Sequence, residues 1–144
     1  MMEKSLLLCC VSSCVLWVGC GGRDYEGEQR FPLSGTVTCD GEKIDIGSIS
    51  FLPLDGGGGE QRVSGGPIED GEYSVPEEQG ANAGKYRIEL RWNKKTGKRV
   101  YDDFAGEEVD ERKEGLPKKY QEDSELVVEV PSPDNTYDFD VTLK

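Results

Sequence analysis

The chain contains no histidine. That absence excludes Ser-His-Asp and Cys-His catalytic sites and the usual histidine-bearing catalytic zinc centres. Acid–base work near neutral pH would fall to a perturbed carboxylate or lysine, and among 29 Asp and Glu no pair stands out by position. Basic residues are outnumbered. The 17 Lys and Arg leave a net charge of -12. Neutralising phosphates takes clustered Lys and Arg, so this balance argues against a nucleic-acid partner. It equally opposes electrostatic docking on anionic lipid, while favouring solubility and repulsion between copies. Long apolar runs are missing as well. The longest, Ser5 to Gly19, is 15 residues, short of the roughly 20 that a spanning helix needs. No segment carries a long, capped helical stripe.

The cysteines are concentrated where that apolar run lies. Cys9, Cys10 and Cys14 sit inside it, Cys20 ends it, and only Cys39 follows. Lys4, the apolar stretch, the small residue Gly19 and then Cys20 resemble a bacterial lipoprotein signal. The resemblance implies cleavage before Cys20, lipid such as palmitate on its sulfur, and a secreted protein held in the cell envelope outside the cytoplasm. Val18 and Gly19 fit the motif. Trp17 departs from it, since an aliphatic residue normally stands three before the cysteine. Cys14, after Val11-Ser12-Ser13, fits the last positions better but leaves a very short apolar core. Each buried methylene contributes about 0.8 kcal/mol, so two or three acyl chains anchor firmly. Glu3 and Lys4 cancel, so removing residues 1–19 keeps the full -12. With Cys20 lipidated, Cys39 has no partner for an internal disulfide.

Residues 20–31 follow as the lipidated cysteine and a tether, without apolar periodicity and expected to be flexible. Residues 32–144, 113 in all, are enough for one domain with a core of its own. Their dominant period is two. In Lys85–Trp92, Tyr86, Ile88, Leu90 and Trp92 point one way and the charged residues the other. Tyr137, Phe139, Val141 and Leu143 repeat the pattern, as do Leu126, Val128 and Val130. Such alternation predicts strands with one buried face. Leu33–Cys39, Gly47–Pro53, Gly66–Ile68 and Glu72–Val75 supply weaker strands, with Asp40-Gly41 and Asp70-Gly71 as turn signals. Six or seven short strands predict an all-β two-sheet sandwich. Two segments stand apart. Asp55–Glu60 is a glycine-rich connector with no helix after it to make a phosphate cradle. Asn93–Tyr120 is a long charged loop, functional or partly disordered, whose far end Leu116-Pro117 and Tyr120 pin to the sandwich.

Pro32–Gly41, Gly47–Pro53, Ile68–Tyr73, Ala83–Leu90 and the closing Leu116–Tyr120 through Asn135–Asp140 together resemble carboxypeptidase-regulatory-like, transthyretin-like domains of small secreted bacterial lipoproteins. The resemblance implies a prealbumin-like, Ig-like sandwich of about seven strands and a non-catalytic role. It carries over no catalytic or binding residue, and it implies no cofactor.

The expected function is therefore a lipid-anchored envelope protein, not an enzyme. It would attach to the membrane through lipid on Cys20 and serve structural or protein-interaction roles with an envelope protein partner. Loop 93–120 is the expected contact surface. The alternative is a ligand-binding module for calcium or carbohydrate. Asp102, Asp103, Glu107, Glu108 and Asp110 are the calcium candidates, because calcium takes several carboxylate and carbonyl oxygens, although their spacing does not match an EF-hand. Trp92 and Tyr101 are candidates for an aromatic sugar platform, unless Trp92 continues the inward face of its strand. Cys39 reads as a small buried hydrophobe or a reactive thiol.

Overall fold

The structure is a computed structural model, which describes residues 27–54 and 62–144. Among these described residues eleven strands form in chain order: β1 (Arg30–Phe31), β2 (Leu33–Cys39), β3 (Glu42–Lys43), β4 (Ile46–Pro53), β5 (Ser64–Glu69), β6 (Glu72–Val75), β7 (Ala81–Asn82), β8 (Gly84–Asp102), β9 (Glu107–Glu114), β10 (Val127–Val130) and β11 (Phe139–Val141). Among the described residues only two short 3-10 turns, Glu77–Gln79 and Lys118–Tyr120, interrupt them. The described protein is all-β, as the period-two pattern predicts.

The two Asp-Gly signals do what such pairs do in tight hairpins. Asp40 and Gly41 have φ of 50° and 79°, and Asp70 and Gly71 have 51° and 78°. Both central residues of these turns need positive φ, which Asp tolerates and Gly takes freely. The turns then knit together. Gly71 N–H donates to the Ile44 carbonyl and Asp70 N–H to the Asp45 carbonyl, each at 2.8 Å, while the Gly71 carbonyl accepts from Val37.

The main sheet runs β10-β8-β4-β5-β6-β2-β11, with β3 beside β2 and β9 beside β8. It does not lie flat. β5 and β6 share one register pair, Glu69 with Glu72, and there the sheet bends. Phe51 of β4 meets Tyr73 of β6 at 6.2 Å, Tyr86 of β8 at 6.4 Å and Tyr137, beside β11, at 5.9 Å between ring centroids. Strands four places apart would stand about 19 Å apart in a flat sheet, so the Phe51–Tyr137 contact requires the sheet to fold over on itself. The result is sandwich-like, with Leu33, Val37, Ile49, Phe51, Ile88, Leu90 and Trp92 buried between the layers.

Three expectations are corrected. Asn93–Tyr120 is not an irregular loop. β8 continues unbroken to Asp102 and returns as β9, giving an antiparallel hairpin as far as Glu114. Its side chains face water on both sides, so no hydropathy alternation betrays the strands. Second, the tether does not stay loose up to residue 31. Arg30 and Phe31 pair with Asn82 and Ala81, and the buried Asn82 amide donates to the carbonyls of Glu28 and Gln29 at 3.0 and 3.1 Å. Third, Leu143 is exposed and Phe139 only half-buried. The β11–β2 ladder ends at Val141. Beyond it the chain is held by other bonds, Thr142 N–H to the Tyr120 hydroxyl and Leu143 N–H to the Asp40 carboxylate, and the alternation no longer applies.

Candidate functional site

The β8–β9 hairpin is the feature that the core does not explain. Its base is built by alternation: Tyr86, Ile88, Leu90 and Trp92 enter the core, and Lys94 then lies on the Trp92 ring, its ammonium 4.3 Å from the centroid. Trp92 is 1% exposed. A buried indole N–H needs an acceptor, and Asp45 supplies it: Trp92 Nε1 donates to Asp45 Oδ1 at 2.8 Å. The other oxygen, Oδ2, accepts from Arg112 Nη1 of β9 at 3.1 Å, and the same guanidinium donates to the Asn93 carbonyl at 2.6 Å. Glu114 Oε1 takes the backbone N–H of Trp92 and of Leu116, each at 3.0 Å. One carboxylate therefore clamps both strands of the arm to the domain. The Asp70-Gly71 turn sets the position of that carboxylate by bonding its backbone.

Asp45 was not legible as a functional residue. The available signal was the inward Trp92, whose N–H demands a partner somewhere. Its hydrogen bond to Trp92, above all, and those from Arg112 and the Ile46 amide hold the Asp45 carboxyl below its ordinary value, against a smaller opposing effect of burial. A carboxyl depressed in the folded state stabilises fully above its unfolded pKa and loses that contribution as pH falls through the folded one. The stability advantage of the native chain over Asp45→Asn, which keeps an acceptor but no charge, is therefore expected to be full above the unfolded Asp value of about 3.9 and to be lost progressively as pH falls below it, through the lowered folded-state value. Urea midpoints across that range, read from Trp92 fluorescence, measure it. A constant difference across the range would show that the clamp does not depend on charge.

Beyond the clamp the arm is held by cross-strand polar pairs. Lys95 meets Asp110 at 2.8 Å, Arg99 Nε meets Glu108 at 3.7 Å, and the Thr96 hydroxyl donates to the Glu111 carboxylate at 2.6 Å. Thr96–Lys98 form a bulge opposite Glu111, where Gly97 takes φ 84°. Exposed pairs of this kind contribute only about 0.2–1 kcal/mol each. In register Lys94 and Lys95 lie opposite Lys113 and Arg112, so the complementary pairs are diagonal ones, Lys95 with Asp110 and Arg99 with Glu108, visible only once the turn between the strands is known. At that turn Asp102 Oδ1 accepts from the amides of Phe104 and Ala105 at 2.8 and 3.0 Å.

This placement answers the candidate sites. Asp102 caps the turn, Glu108 faces Arg99 and Asp110 faces Lys95, whose hydrogen bond and charge hold the Asp110 carboxyl below its ordinary value. Asp103 and Glu107 flank the apex. Among the described residues no three such side chains converge to hold a metal ion, because the carboxylates turn to opposing strands and to the backbone. The sugar platform is overturned. Trp92 is packed in the core, while Tyr101, 65% exposed, lies far along the arm from it. Cys39 is buried and unpaired by any disulfide. Burial first, then the Asp40 charge, pushes its thiol above the ordinary range, which suits a packed hydrophobe and not a nucleophile. Cys14, Cys20 and the glycine run Asp55–Glu60 lie outside the described residues.

Comparison with protein-family models, with curated proteins and with solved structures finds no match for this chain.

Proposed function

We propose that the chain is a lipid-anchored cell-envelope protein whose transthyretin-like, prealbumin-type sandwich has no catalytic role and serves structural or protein-interaction purposes. The observation that carries this reading is the run from Lys4 through the apolar residues to Gly19-Cys20, followed at once by polar sequence. The projecting β8–β9 arm supports the interaction role, since a charged hairpin standing off the core adds little to the domain's own packing. The reading gains a geometric detail from Asn82. With the Glu28 carbonyl bound to the domain, residues 21–27 are all that separate Cys20 from the fold, and seven residues span at most about 25 Å. The domain therefore sits close over the bilayer.

Cys20→Ser tests the anchor. It is expected to shift the protein from the membrane fraction to the soluble fraction, with loss of lipid mass from the mature chain. Cys14→Ser is expected to change neither. Retention of Cys20→Ser on the membrane would overturn the lipid assignment.

A further inference from the structure

Phe104 stands at the apex of the arm with its side chain fully exposed, and Tyr101 and Val100 below it are 65% and 41% exposed. Hairpin tips are ordinarily polar or glycine-rich, and nothing inside the domain uses this ring. The tip is also well supported. Asp102 caps the turn through two amides, Gly106 N–H closes it on the Asp102 carbonyl at 2.8 Å, and Gly106 takes φ 71°. The charge is polarised along the arm. The stem holds Lys94, Lys95, Lys98, Arg99, Arg112 and Lys113 against Asp110, Glu111 and Glu114, a net positive balance, while Tyr101–Glu108 hold Asp102, Asp103, Glu107 and Glu108 and no Lys or Arg. An exposed aromatic ring inside an acidic collar fits an apolar pocket with a basic rim. The same collar repels anionic lipid headgroups and a second copy of a chain whose net charge is -12.

The position of the tip agrees. The incoming chain is fastened at Ala81–Asn82, immediately before β8 begins, and the tip lies where β8 ends. The 19 residues of β8 trace roughly 60 Å at about 3.3 Å each, less in space because of the bulge and twist. A molecule tethered at one end of this strand presents Phe104 at the other, away from its own membrane.

We propose that Tyr101–Glu108 is a docking plug, with Phe104 its central anchor, for a partner protein that offers an apolar pocket rimmed by Lys or Arg. This deepens the interaction role proposed above and rests on it; the orientation away from the membrane rests also on the lipid, whereas the exposed ring and its acidic collar do not.

The experiment places the photo-crosslinking residue p-benzoylphenylalanine at position 104 of the full chain in native envelopes, with a control at Val127, an exposed position on β10. The expected result is an adduct with one protein from position 104 and none from Val127. The attached peptide should border an apolar pocket flanked by Lys or Arg. Salt at about 0.5 M, or Asp103→Lys with Glu107→Lys, should cut the yield by about tenfold or more. Excess unlabelled native chain should compete, and Phe104→Ala chain should compete at least about tenfold less well. The salt series and the Phe104→Ala competition stand even where the charge reversal fails to fold. Adducts to lipid, adducts to a second copy, equal capture from both positions, or capture indifferent to salt and to Phe104 would each overturn the proposal. Adding soluble Cys20→Ser chain back to envelopes separates the two ideas: failure of the anchor appears in fractionation, and failure of the plug in the adduct.

Discussion

Trp92→Ala is expected to destabilise the domain by about 3–5 kcal/mol, the usual range for truncating a large buried aromatic residue. That is roughly 10–20 °C in melting temperature for a domain of this size. The reason is double. The ring is the largest fully buried side chain, and its removal leaves a cavity at the point where β8 leaves the core. The substitution also frees Asp45 from its strongest partner and so from its hold on β8, leaving Arg112 and the Ile46 amide on that carboxylate. Trp92→Phe separates the two effects. It keeps most of the volume and deletes the indole N–H, so a loss of about 1–2 kcal/mol is expected. Urea unfolding followed by far-ultraviolet circular dichroism measures both. Equal losses from Ala and Phe would mean that the hydrogen bond, and not the packing, dominates at this site.

Gly35→Ala is expected to be as damaging through steric conflict alone. A Cβ at Gly35 would sit 2.0 Å from the Tyr137 carbonyl oxygen and 2.6 Å from its carbon. Both are backbone atoms and cannot rotate away. The same carbonyl accepts the Tyr73 hydroxyl at 2.7 Å, and Tyr137 N–H donates to the Ser34 carbonyl at 2.8 Å. Clearing room for one methyl group therefore means withdrawing the C-terminal segment from β2. The Tyr73 bond would break, and the Tyr137 ring would lose its contact with Phe51. Overpacking with backbone displacement costs typically 1–3 kcal/mol, and a stranded buried hydroxyl about 1–3 more. We expect about 3 kcal/mol or more, seen as a fall in the urea midpoint. Ala at Gly41, where no atom lies within 4 Å, meets only the strain of φ 79° and should lose about 1 kcal/mol. A Gly35→Ala chain as stable as the native one would show that the C-terminal strand is not held where the structure puts it.

The core strands were readable because burial on one face writes itself into composition. Tyr86, Ile88, Leu90 and Trp92 alternate with Lys, Arg and Glu, and all four are buried. Asp40-Gly41 and Asp70-Gly71 were readable because few residue pairs accept two positive φ values in succession. The arm was not readable by the same rule. Both of its faces are wet, so its strands carry no hydropathy period, and its stability comes from backbone pairing and opposed charges. Loop and hairpin share the composition there, and only the register of Lys95 with Arg112 and of Val100 with Val109 distinguishes them. Asn82 and Asp45 escaped for a related reason. Each acts through one or two hydrogen bonds to residues 47 to 67 positions away in sequence, and single polar residues give no pattern.

What the sequence determined by itself is local and repetitive: strands whose side chains alternate between core and water, and turns set by backbone sterics. The exclusion of histidine chemistry also belongs to it, because an absent side chain is absent in any fold. The tertiary structure decided what lies between distant segments. It bent the sheet so that Phe51 meets Tyr137, fastened the incoming chain at Asn82, clamped the hairpin through Asp45, and set an exposed Phe104 within an acidic collar at the far end. The physical reason is that alternation records whether a side chain is buried, whereas partnership depends on which strands are brought together, and long-range pairing leaves no period in the chain.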